Sequence, residues 1–166
     1  MSVIDAFLTT WSNARRTYRE GAPQTGAQYD NSSALRALQS DLESAAPGFR
    51  WNGRAATDYD EANTGHRRVI GGLADLDRRL AAEVDNSAQS VGAGRRDLDD
   101  LRRWVVDAAN SIPAGKNGDP MRVVIAQKGL AQLQEIMHRT NAESHAIGAR
   151  IRMLEQEYRA LGGNHE

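Results

Sequence analysis

Four histidines, His66, His138, His145 and His165, are the side chains best suited to moving a proton or holding a metal near neutral pH. Their spacing does not gather them. His138 and His145 stand seven residues apart, which puts them on one helix face but about two turns apart, too far for one ion unless another helix contributes. Both lie one step past the seam positions Met137 and Ser144 of a heptad pattern, as boundary residues do. His66 falls within such a pattern, where a packed or partly solvated core histidine is expected. There is no cysteine, which excludes a thiol nucleophile and a disulfide framework. No Gly-rich phosphate loop precedes a helix, and H-E-x-x-H is absent. The sequence therefore predicts no catalytic residues, no metal and no cofactor.

Arginine pairs at 67–68, 78–79, 95–96 and 102–103 raise the question of nucleic acid. Between residues 67 and 107 the eight arginines are matched by Asp75, Asp77, Glu83, Asp85, Asp97, Asp99, Asp100 and Asp107, a local balance of zero. A phosphate-tracking face needs net positive charge. The formal net charge of the whole chain is -1, so no global field favours nucleic acid or an anionic membrane either. The expected arrangement is a solvated helix flank with local pairs such as Asp75–Arg79 and Asp99–Arg103. The excess of arginine over lysine, 19 to 2, reads as a GC-rich genome.

The elements that would position any site are helical. Hydrophobic residues make up 40% of the chain, aromatics only 5%, and runs of β-branched residues are few, which argues against a sandwich. Residues 2 to 20 predict a first helix, capped by Ser2, with Ile4, Phe7, Leu8, Trp11 and Tyr18 mostly on one face. Asn31 or Ser32 begins a shorter helix carrying Leu35, Leu38 and Leu42. From about Arg54 to Asn110, Ala62, His66, Val69, Leu73, Leu76 and Leu80 keep 3,4 spacing. Val84 comes four residues on, and Val91, Leu98 and Val105 continue in sevens, a stutter that locally unwinds a supercoil. Gly92 and Gly94 weaken this helix by roughly 1 kcal/mol each relative to alanine and invite either a kink or close backbone approach.

"SIPAGKNGDP" is a loop, and from Val123 the pattern is the cleanest in the chain. Positions 123, 126, 130, 133, 137, 140, 144, 147, 151, 154, 158 and 161 alternate 3 and 4, with only Thr140 and Ser144 polar, before "GG" at 162–163. Such a helix, about 60 Å long at 1.5 Å per residue, packs along another long helix. The expected fold is all-α: one domain over 1–166, an elongated bundle built on a long antiparallel helical hairpin with shorter N-terminal helices. Its parts are N-terminal helices (1–46), a turn (47–53), a long helix (54–110), a loop (111–120) and a C-terminal helix (121–161). The N-terminus lacks the basic start and apolar core of a signal peptide, and no window is apolar enough to span a membrane.

The turn holds "WNG". Gly53 supplies a backbone conformation that other residues resist, and Trp51 is expected to plug one end of the bundle. A Trp-x-Gly turn between two helices resembles the helical hairpins exported by the type VII (ESX) secretion systems of mycobacteria and relatives. A longer stretch sharpens the likeness. Pro47-Gly48, Trp51-x-Gly53, Ala55-Ala56 with Tyr59, the run "LADLDRRL" at 73–80 and the Arg/Asp-rich helix after it resemble the N-terminal region of EspA/EspE-type secretion-associated proteins.

That resemblance implies a helical protein exported or handled by an ESX apparatus, with Trp51, Gly53 and Tyr59 as the partner and secretion-motif residues. It implies a small helical partner and a secreted or cell-envelope location. Two departures stand out. Larger family members continue into Ala/Gly-rich and apolar segments, whereas this sequence stops at Glu166. The Tyr-x-x-x-Asp/Glu export signal is missing, since Ala22, Ser33, Asn63 and Gly162 follow the four tyrosines at that spacing. The signal is then expected on a partner, with self-association the other form of pairing. The competing expectation is a cytosolic coiled-coil adaptor or chaperone-like protein.

Overall fold

The computed structural model describes residues 2–18, 26–45 and 53–163. Four α-helices follow in order: α1 (Val3–Thr17), α2 (Ser32–Ser44), α3 (Arg54–Asn110) and α4 (Asp119–Gly163). Short 3-10 turns occupy Gly26–Tyr29 and Lys116–Gly118, and no strand occurs among the described residues. The protein is all-α. By their contacts the residues form two compact units, Met1–Pro23 with Asn86–Ala146, and Gln24–Asp85 with Ile147–Glu166.

In the first unit, α1 begins as its sequence dictates. The Ser2 hydroxyl accepts the Asp5 N–H at 3.1 Å, and the Asp5 carboxylate accepts the Ser2 N–H at 3.2 Å, a complete capping box. The Ser2 backbone N–H and then its hydroxyl hold the Asp5 carboxyl below the usual carboxylate range. From that start α1 sends Phe7, Ala14 and Tyr18 into a core with Leu98, Leu101 and Val105 of α3 and Ala126, Leu133 and Ile136 of α4. The Trp11 indole N–H donates to the Leu98 carbonyl at 2.7 Å, so this large ring is packed without an orphaned donor.

Gly94 settles what the glycines near the middle of α3 do. α3 runs unbroken through both Gly92 and Gly94. A Cβ on Gly94 would stand 2.5 Å from Tyr18 Cε1 and 3.0 Å from Thr140 Oγ1. The missing side chain is the space in which α1, α3 and α4 meet. Gly129 of α4 has the same use, since its Cβ would fall 2.8 Å from Phe7 Cε2 and 2.9 Å from Val105 Cγ2.

In the second unit, α2 runs antiparallel to the start of α3. Asn63 Nδ2 donates to the Leu42 carbonyl at 2.8 Å, and one turn on, Gln39 Nε2 donates to the Arg67 carbonyl at 3.3 Å. The end of α4 pairs with α3 in the same antiparallel sense: Arg79 with Glu157 at 2.8 Å, the Tyr158 hydroxyl donating to Asp77 at 2.5 Å, and Arg150 with Glu83 at 2.8 Å.

Burial, and then the bond to Asp77, pushes the Tyr158 phenol up. A raised phenol favours the protonated folded state, so its contribution is fully present below the ordinary tyrosine pKa of about 10 and is lost as pH rises above it. Tyr158→Phe is expected to lower stability by about 1 kcal/mol at neutral pH and to flatten the alkaline loss, as read by denaturant unfolding across pH.

Several expectations need correction. His66 and Ala62 are exposed, and the buried neighbour is Asn63, because this part of α3 faces α2 through a polar contact. None of the α2 residues is fully buried, and Leu38 is 46% exposed. On α4, Val123, Leu130 and Ser144 stand exposed while Gly129 and Ile136 are buried. In the first unit α4 faces both α1 and α3, so its buried stripe is wider than a two-helix seam. Asp99 pairs with Arg15 at 3.1 Å rather than with Arg103, which pairs with Asp100. Asp75 does reach Arg79, at 3.7 Å.

Candidate partner-binding site

Of the three residues proposed from the sequence, Gly53 directly precedes α3 and Tyr59 lies in its first turns. Trp51 and the Pro47-Gly48 pair fall outside the described residues. Gly53 has φ 107°, a backbone state that a Cβ disfavours, and its carbonyl accepts both the N–H and the hydroxyl of Thr57 at 3.1 Å. A Cβ on Gly53 would meet nothing within 4 Å, so the residue is a glycine for its dihedral and not for want of space. Tyr59 is 41% exposed one turn further on, while Ala56 between them is buried.

Behind Tyr59 the junction with α2 is polar. Asn63 is 3% exposed, and its Nδ2 is held by the Leu42 carbonyl near the C-terminal end of α2. Among the described residues, Asn63 Oδ1 and Arg67 Nε are buried without a hydrogen-bond partner. Asn63 occupies the place that an acid would hold in a Tyr-x-x-x-Asp/Glu signal starting at Tyr59. A carboxylate there would lose the donor to Leu42 and set a negative charge against a carbonyl. Asn63→Asp is therefore expected to destabilise the fold by about 1–3 kcal/mol, measured by thermal melting, rather than to create a signal.

Among the described residues the histidines named from the sequence stand apart on α3 and α4. His66, His138 and His145 are exposed, and His165 lies outside the described residues. Among the described residues no group of three or more His, Cys, Asp or Glu is placed to hold a metal ion. None of the described helices is long and apolar enough to cross a membrane.

Sequence reasoning missed the polar α2–α3 contact because neither Gln39 nor Asn63 belongs to an apolar period. It also missed Ser90, which is buried on α3 and donates its hydroxyl to Glu143 of α4. Its small size beside Val91 was the available signal.

Comparison with curated proteins and with solved structures returned no match. The model of the EspA/EspE family matches residues 19–100, which include α2, Gly53, Tyr59 and most of α3. That family relates the chain to type VII secretion. Residues 19–100, just under half of the chain, carry the likeness, and over them the chain is of EspA/EspE type.

Proposed function

We propose that this protein serves a mycobacterial-type ESX secretion pathway without catalysing a reaction, by binding a small helical partner with which it is exported. The observation that carries the reading is the family match over residues 19–100. Two features support it. The Tyr59 site is built around a buried asparagine where an export signal needs an acid, which fits a signal supplied in trans. The fold is made of long helices whose surfaces are suited to helix-to-helix contact.

In this reading Trp51, Gly53 and Tyr59 are the residues that the partner and the apparatus recognise. The test is fractionation of the producing cell with and without a functional ESX apparatus. The protein is expected in the culture filtrate or envelope, with loss of that pool when the apparatus, or a small helical protein encoded beside it, is deleted. A protein found wholly in the cytosol in both strains would instead make it an intracellular adaptor.

A further inference from the structure

In the first unit α1 covers one flank of the α3–α4 pair. Trp11 lies on Leu98 with the Arg102 guanidinium 5.5 Å from its ring centroid, Arg15 reaches Asp99 and the Tyr18 ring sits over Gly94. The opposite flank carries no such helix among the described residues. There a groove of about 480 Å³ runs between α3 and α4. Leu101 and Ile136, 4% and 8% exposed, form its floor, and Trp104 stands beside them 42% exposed. Asp97, Asp100 and Glu135 line its rim.

Two of those acids are engaged, Asp97 with Arg139 across the groove and Asp100 with Arg103 on its own helix. Glu135 joins no ion pair among the described residues. An exposed tryptophan beside a buried aliphatic floor has the make-up of an interface anchor, since large rings dominate binding energy where they become fully desolvated. A cleft between two helices accepts the side-chain ridge of a third. The rim decides which kind. The groove lining holds three acids against one base, so the occupant needs basic side chains beside its apolar stripe. A second copy related by a two-fold axis would set this rim against itself, acid facing acid.

We propose that this flank is the docking site for one amphipathic helix of a partner protein, with aliphatic side chains over Trp104 and lysine or arginine beside Asp100 and Glu135. The proposal rests on the partner-binding reading above and names the surface and the partner's chemistry.

The experiment titrates the full chain with a synthetic helical peptide of about five turns, its leucines at i, i+3, i+4 and i+7 flanked by lysines. A second peptide carries glutamates in place of the lysines. Calorimetry gives affinity, and hydrogen exchange gives the place of binding. The lysine peptide is expected to bind about tenfold or more tightly than the glutamate one, with protection confined to residues 97–104 and 132–139. Trp104→Ala and Glu135→Lys are each expected to weaken it by about tenfold. Glu135 is exposed, so Glu135→Lys keeps the wild-type melting, and Trp104→Ala is read beside its own melting curve because that ring is only 42% exposed.

Equal affinity for the two peptides, protection elsewhere, or indifference to both substitutions overturns the proposal. So does a concentration-dependent dimer that Trp104→Ala abolishes, which would make the occupant a second copy. In the producing cell, a co-purified partner complex that survives both substitutions overturns this groove and leaves the secretion reading standing. Export independent of the ESX apparatus overturns that reading and leaves the peptide result as it was.

Discussion

Phe7→Ala is expected to lower the unfolding free energy by about 3–5 kcal/mol, the cost of deleting a fully buried aromatic ring and leaving its cavity. Phe7 is 1% exposed, and its ring edge occupies the space that Gly129 leaves open. It therefore joins α1 to α3 and α4 at once. Against a typical domain stability of about 5–15 kcal/mol, this is a large share. Denaturant unfolding measures it. Hydrogen exchange adds the location, with protection lost first over Val3–Thr17. A loss below about 1 kcal/mol, the size of an ordinary surface change, would mean that α1 does not dock as described.

Gly94→Val should cost about 2–3 kcal/mol, even though valine forms helix slightly better than glycine. The gain from propensity is a fraction of 1 kcal/mol, while the added methyls enter a space already 2.5 Å from the Tyr18 ring, itself 6% exposed. Two positions earlier the balance reverses. A Cβ on Gly92 meets only the end of the Arg96 side chain, at 3.7 Å, so Gly92→Ala is expected to stabilise by up to roughly 1 kcal/mol. Thermal melting of the two variants, side by side, checks both signs. Equal shifts would show that both glycines act through propensity alone.

This pair also shows what the sequence could and could not reveal. Helix existence and α3's limits follow from 3,4 periodicity, glycine and proline, which are local signals. Whether a glycine in that helix is a weakness or a meeting point depends on Tyr18 and Thr140, which are far away in sequence. The same holds for Asn63. Its period mate Ala62 looked like the core position, but burial there is decided by the Leu42 carbonyl on a neighbouring helix. Ser2 lay at the opposite extreme: its capping partner Asp5 is three residues on, and its cap was legible. The Trp104 groove was not, because a tryptophan on a mixed Arg/Asp helix carries no mark of which flank another helix will leave uncovered.

The charged pairs between α3 and α4 have one consequence for how the chain avoids a wrong answer. A heptad-patterned stripe is nearly indifferent to translation by one repeat, because each apolar residue then meets another apolar residue. The charges are not indifferent. Slid one repeat in one direction, Glu157 would leave Arg79 for the level of Asn86, Arg150 would leave Glu83 for that of Ser90, and Arg139 would leave Asp97 for that of Trp104. Each exposed pair contributes at most about 1 kcal/mol in the native alignment, and the shifted alignment forfeits it. Several such losses together separate two alignments that the apolar stripe alone would leave close in energy, so the solvent-facing edges choose which of the near-equivalent alignments the helices adopt.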